Sequence, residues 1–124
     1  MKKIMVVDDT AFMRKNLKNV LSKEGYQGIL EAENGEKAIR KYKNENPDLV
    51  LLDITMPEMD GLETLEKIKE YDSQAKILMC SAMGQKEMVI KAVELGAEDF
   101  IVKPFNQEKI KKAVAKALND EKSA

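Results

Sequence analysis

The sequence alternates from end to end between two kinds of segment, and this restricts the possible folds more than any other feature. Ile4-Met5-Val6-Val7, Leu49-Val50-Leu51-Leu52, Ile77-Leu78-Met79 and Phe100-Ile101-Val102 are short, nearly continuous apolar runs. Such runs predict strands buried on both faces, as in a parallel sheet covered by helices. A weaker strand is predicted around Ile29 to Ala32, after Gly25 and Gly28. Between the runs, apolar residues recur at helical spacing. Met13, Leu17, Val20 and Leu21 form one stripe, and Leu62, Leu65 and Ile68 another. Ile110, Ala113, Val114, Ala117 and Leu118 form the last, with lysines on the opposite face. Gly35, Asp60-Gly61 and Asn106 stand at helix starts, and Gly25 and Gly96 at helix stops.

Five βα units follow without a linker or repeat, so the expected class is α/β, a parallel sheet with right-handed crossovers. A length of 124 residues suits a single domain, expected over residues 1–119, with a polar tail at 120–124. The formal net charge of −1 provides no global basic field for nucleic acid or an anionic membrane. No apolar run is long enough to span a bilayer, and no signal-peptide pattern opens the chain. Cys80 has no second cysteine to pair with, which fits a reducing, cytoplasmic setting. The sequence contains no histidine, which excludes His-dependent nucleophilic catalysis and His metal sites.

In such a sheet, ligands bind outside the carboxyl ends of the strands. Asp8 and Asp9 follow the first strand, Asp53 ends the third, Ser81 follows the fourth and Lys103-Pro104 the fifth. Taken singly, each has an ordinary reading: the aspartates as helix N-caps, the serine as a cap or turn, the lysine as a solvated loop residue. Together they place three carboxylates, a hydroxyl and an ammonium on one rim. Clustered carboxylates resist ionising beside one another, and a hard divalent cation relieves that conflict. Mg²⁺ takes one or two carboxylates, several waters and a phosphate oxygen. Lys103 and Ser81 suit phosphoryl oxygens as point charge and donor. The chemistry that uses all five groups is phosphoryl transfer to a carboxylate.

On these residues the chain resembles the receiver domains of two-component response regulators. The motifs are Val6-Val7-Asp8-Asp9, Asp53-Ile54-Thr55-Met56-Pro57, Met59-Asp60-Gly61, Cys80-Ser81-Ala82 and Val102-Lys103-Pro104-Phe105. The resemblance implies a flavodoxin-like sheet of order 2-1-3-4-5 with five helices on both faces. It implies Asp53 as phosphoacceptor and Asp9 and Asp53 as side-chain Mg²⁺ ligands. The backbone carbonyl of Thr55 joins them, and Asp8 acts largely through water. It further implies Lys103 as the phosphoryl-binding ammonium, with a cis bond to Pro104. Ser81 and Phe100 correspond to the family's switch pair, although many relatives carry Tyr at the aromatic position. Thr55 and Met83 correspond to positions bordering the path of the hydrolytic water, and apolar Met83 is expected to slow self-hydrolysis.

Met88, Val89, Ile90, Ala92, Val93 and Leu95 make the fourth helix apolar over more than one face, read either as an interaction surface or as a deeply buried helix. The family docks its targets on the face formed by helix 4, strand 5 and helix 5. With nothing after the last helix to act as an output module, a stand-alone regulator is expected. Phe12-Met13-Arg14 and Ser81-Ala82-Met83-Gly84-Gln85 point further, to the chemotaxis messengers of the family. Those imply a CheA-like histidine kinase and a flagellar motor switch, or an adaptor protein in an archaeon. No enzymatic activity is expected beyond self-phosphorylation and self-dephosphorylation. The nearest rival is a phosphorelay intermediate that passes its phosphoryl group to a histidine elsewhere. A haloacid-dehalogenase-type phosphatase would place its nucleophile after the first strand, and a flavodoxin would need a Ser/Thr/Gly-rich loop where Asp8-Asp9 stands.

Overall fold

The computed structural model describes residues 2–82, 86–103 and 106–119. Met83, the Lys103-Pro104 bond, Phe105 and the tail at 120–124 lie outside the described residues. The element order is β1 (Lys3–Val7), α1 (Ala11–Lys23), β2 (Gly28–Ala32), α2 (Gly35–Glu45), β3 (Leu49–Asp53), α3 (Gly61–Tyr71), β4 (Ile77–Ser81), α4 (Lys86–Glu94), β5 (Asp99–Val102) and α5 (Gln107–Leu118). All strand pairs are parallel and the sheet order is β2-β1-β3-β4-β5. The expected flavodoxin-like order is therefore present.

The apolar runs divide by residue parity, because successive strand side chains point to opposite faces. Ile4, Val6, Leu49, Leu51, Leu78 and Ile101 pack with Leu17 and Leu21 of α1 and Ile110 and Val114 of α5. Met5, Val7, Val50, Leu52, Ile77 and Met79 pack with Ala38 of α2, Leu65 and Ile68 of α3 and Ala92 of α4. The helices thus cover both faces, which is why β3 and β4 need apolar residues at consecutive positions. At the edges the pattern relaxes. In β5 only Ile101 is buried, while Phe100 is half-buried and Val102 is exposed. The expectation that Phe100-Ile101-Val102 is buried on both faces is corrected: β5 is an edge strand without full helical cover.

Helix starts follow local capping chemistry. Thr10, Asn34, Asp60 and Asn106 each accept, through the side chain, the main-chain N–H of the residue three positions on. Such caps each stabilise a helix by about 1 kcal/mol. Gly25 and Gly96 follow α1 and α4 with φ of 91° and 100°, the left-handed geometry that ends helices. Among the described residues, no helix is long and apolar enough to cross a membrane.

Candidate functional site

The carboxyl ends of β1, β3 and β5 bring the predicted residues together for a simple geometric reason. Asp8 continues the parity of Ile4 and Val6, Asp53 that of Leu49 and Leu51, and Lys103 that of Ile101. Each is thus the polar continuation of one apolar row, at the rim where that row leaves the core. Asp8, Asp9 and Asp53 offer carboxylate oxygens that all lie within 4.8 Å of one another. Asp8 and Asp53 are buried and Asp9 is exposed. The ordinary reading of these aspartates as helix caps fails, since Thr10 caps α1 and Asp60 caps α3.

Lys103 Nζ bridges the two buried acids, 3.1 Å from Asp8 Oδ2 and 3.5 Å from Asp53 Oδ1. Asp8 Oδ1 accepts from the Thr10 main-chain N–H at 2.9 Å and from the Thr10 hydroxyl at 3.0 Å. Burial raises the Asp53 carboxyl above its ordinary value; Lys103 opposes this, while Asp8 and Asp9 add to it. For Lys103, burial works against the charge, yet Asp53 and Asp8 outweigh it and hold the ammonium above its ordinary value. Cys80, paired with Asp53 across β3 and β4, is pushed up to about 12 by burial and stays a thiol. A clustered, partly buried set of carboxylate oxygens open to solvent at Asp9 fits a hard divalent cation.

Ser81 is the last residue of β4 rather than the first after it, and it is fully buried. Its carbonyl accepts from the Lys103 N–H at 2.7 Å, tying the β4 and β5 ends together. Phe100 lies across from Met79 on the neighbouring strand and packs against the α2–α4 side of the core. Ser81 has the parity of Met79, so Ser81 and Phe100 belong to one face of the sheet, opposite that of Asp53 and Lys103. Thr55 is exposed in the loop after β3.

Two residues contribute to the site in ways that the sequence alone does not assign. Thr10, both cap and donor to Asp8, carried a signal in its position just before the α1 stripe. Gly61 starts α3 hard against the phosphoacceptor candidate's own backbone: a Cβ there would sit 2.2 Å from the Asp53 carbonyl oxygen. Its N–H also donates to the Ile54 carbonyl at 2.7 Å.

Comparison with known proteins agrees with this geometry. The family model described as "Response regulator receiver domain" matches residues 4–115. "Chemotaxis protein CheY" of Bacillus subtilis is 56% identical over 117 residues, covering 94% of this chain and 98% of that protein. "Chemotaxis protein CheY" of Thermotoga maritima is 50% identical over 115 residues, covering 93% and 96%. The structure of a CheX-CheY-BeF3-Mg+2 complex from Borrelia burgdorferi is similar with a TM-score of 0.90 at 41% identity, covering 93% of this chain and 87% of that one. The chain belongs to the response regulator receiver-domain family, and its similarity is to the chemotaxis CheY proteins within it.

Proposed function

We propose that this chain is a chemotaxis response regulator, phosphorylated on Asp53 by a CheA-like histidine kinase in a Mg²⁺-dependent reaction. The observation that carries the reading is the cluster of Asp8, Asp9 and Asp53 within 4.8 Å, with Lys103 against two of its members. Asp9, Asp53 and the Thr55 carbonyl would hold Mg²⁺, with Asp8 beside it through water. When bound, the ion offsets charge between the carboxylate and the incoming phosphoryl oxygens.

The remaining work falls to the chain. An Asp53 carboxylate oxygen forms the new P–O bond while the bond from phosphorus to the kinase's imidazole nitrogen breaks, its electron pair returning to the ring. Lys103 binds a phosphoryl oxygen from the other side, moving its charge from the acids to the transferred group. The product is an acyl phosphate that water cleaves, so the signal has a limited lifetime. The chain acts on itself alone and turns over no other substrate.

Ser81 and Phe100 form the switch. On phosphorylation Ser81 moves from its buried position at the end of β4 to bond the phosphoryl oxygen, and Phe100 turns inward to fill the vacated space, a two-state equilibrium biased by phosphorylation. The output face adjoins it. Ile90, Val93 and Val102 are 46%, 59% and 43% exposed, more apolar surface than α4 and β5 need for packing. Only Ala92 of α4 is fully buried, which argues against a deeply buried helix and for a docking face. A groove of about 390 Å³ runs beside it, lined by Phe100, Val102, Lys109, Lys112 and Lys116. A flagellar motor switch or an adaptor protein docks there, in the cytoplasm.

The test is phosphotransfer from a chemotaxis kinase to this chain and to Asp53→Asn, followed by binding of each product to a motor-switch protein. Label on the wild type alone, with tighter binding after phosphorylation, is the expected result. Label that passes onward to a phosphotransferase histidine, with no gain in binding, would favour the relay instead.

A further inference from the structure

The turn between β1 and α1 carries two of the three clustered carboxylates, so whatever fixes that turn fixes those ligand candidates. Asp8 is engaged at nearly every polar atom. Its N–H donates to the Ala32 carbonyl at 3.2 Å, and its carboxylate is held by Thr10 and Lys103. The remaining group, the Asp8 carbonyl oxygen, accepts from Arg14 Nη1 at 2.8 Å.

Arg14 is an unexpected residue at its position. It lies in the first turn of α1, where the helix dipole disfavours a cation, and that turn contains no acid to offset it. Yet its side chain is only 15% exposed. The geometry explains its presence. While Nη1 holds the Asp8 carbonyl, Nε donates to Glu31 Oε1 at 3.1 Å, and Lys18 Nζ stands 3.6 Å from Glu31 Oε2. Glu31 belongs to β2, in register with Val6 of β1. One guanidinium therefore joins α1, β2 and the turn that bears Asp8 and Asp9.

The carbonyl of Asp8 and the N–H and Cα of Asp9 share one peptide plane. A donor clamped on that oxygen thus fixes the direction in which the Asp9 main chain leaves the strand. Asp9 is the exposed member of the cluster, the one with least packing around its side chain.

We propose that Arg14 is a positioning residue for the divalent cation, clamping the Asp8–Asp9 peptide so that the Asp9 carboxylate is aimed at Asp53 before the ion arrives. The proposal rests on the reading of the carboxylate cluster as a Mg²⁺ site. Arg14 does not touch the ion. Its part resembles that of groups that orient metal ligands, whose loss weakens metal affinity by about 10- to 100-fold. Simple charge repulsion has the opposite sign: removing a nearby cation by itself tightens Mg²⁺ binding. The two effects are therefore separable by direction.

The experiment is calorimetric titration of Mg²⁺ into wild type, Arg14→Ala, Arg14→Lys and Asp9→Asn, with urea unfolding confirming that each is folded. The expected result is a dissociation constant about 10-fold weaker for Arg14→Ala. Arg14→Lys, which keeps the charge and loses the two-armed fork, is expected to recover only part of this. The phosphorylation rate of Arg14→Ala from a small phosphodonor should return to the wild-type level at saturating Mg²⁺, which general structural damage does not allow. If Arg14→Ala fails to fold, Arg14→Lys carries the test: it keeps the charge and loses the two-armed fork, so Mg²⁺ affinity below the wild-type level is expected from it. Unchanged or tighter Mg²⁺ binding by the folded variant overturns the proposal. If wild type binds Mg²⁺ and Asp9→Asn weakens it, the cluster reading survives that failure; if wild type binds none, both fall.

Discussion

The two ends of the sheet treat their acids in opposite ways. At the amino end, Asp72 and Asp48 each have their own neutral donors. Asp72 accepts from the Tyr42 hydroxyl at 2.7 Å and the Gln74 N–H at 3.0 Å, and Asp48 accepts from the Lys3 N–H at 2.8 Å. Tyr71 packs edge-on against Tyr42, and Lys43 stands 5.2 Å over the Tyr71 ring. That network closes on itself. At the carboxyl end, Asp8 and Asp53 share one ammonium, Lys103, and the Asp9 carboxylate lies within the same cluster, so three carboxylates gather around one bridging lysine. Satisfied polar groups hold a fold together, whereas surplus charge held in place by the fold is available for a ligand. The amino end is built for stability and the carboxyl end for chemistry.

Substitutions at the two ends should therefore differ in kind. The largest effect is expected from Lys103→Ala, which should slow phosphorylation at saturating Mg²⁺ by about 100-fold, as removal of a transition-state donor does. Stopped-flow or mass-spectrometric rates would measure it, and a rate within a few fold of wild type would break the comparison. Gly61→Ala should follow, destabilising by about 2 to 3 kcal/mol, because the added methyl meets the Asp53 and Ile54 backbone at 2.2 and 2.6 Å. Urea denaturation reads that cost, and a loss of phosphorylation should accompany it.

At the other end, Tyr42→Phe removes a hydrogen bond to a carboxylate and should cost about 1.5 kcal/mol in the same assay. Its phosphorylation rate should stay at the wild-type level. A change in rate would show that the two ends are coupled.

The smallest effect has the opposite sign. Burial, reinforced by Asp8 and Asp9, raises the folded-state value of Asp53, so the folded protein binds more protons than the unfolded chain over the interval between the two values. Stability contributed there falls as pH rises through that interval. In metal-free buffer, Asp53→Asn should therefore stabilise the protein at neutral pH. The gain should shrink as pH falls to the ordinary carboxylate range. A gain constant with pH would assign it to packing instead.

The strands, helices and rim residues were legible because their signals are local. Apolar runs, helical stripes and the acids at run ends depend on residues close together in sequence. The exposure of Val102 was not legible, since three apolar residues in a row look alike whether helices cover both faces or one edge is bare. The clamp of Arg14 on Asp8 and Glu31 and the closure of Tyr42 on Asp72 were missed for a related reason. Partners 17 and 30 residues apart meet only once the strands are ordered. Arg14 did leave one local trace, a cation in a first helical turn that has no acid. Gly61 left a trace as a helix start and in the Met59-Asp60-Gly61 motif; its fit against the Asp53 carbonyl is a property of the packed β3–α3 turn.

On the proposed reading, the surplus carboxylates hold Mg²⁺ so that Asp53 receives a phosphoryl group. The most direct measurement is intact mass after incubation with a small phosphodonor, with and without Mg²⁺, beside Asp53→Asn. One added phosphoryl group that requires both Mg²⁺ and Asp53 is the expected result. A folded, Mg²⁺-binding protein that gains no group from the donor or from a cognate kinase would contradict the claim.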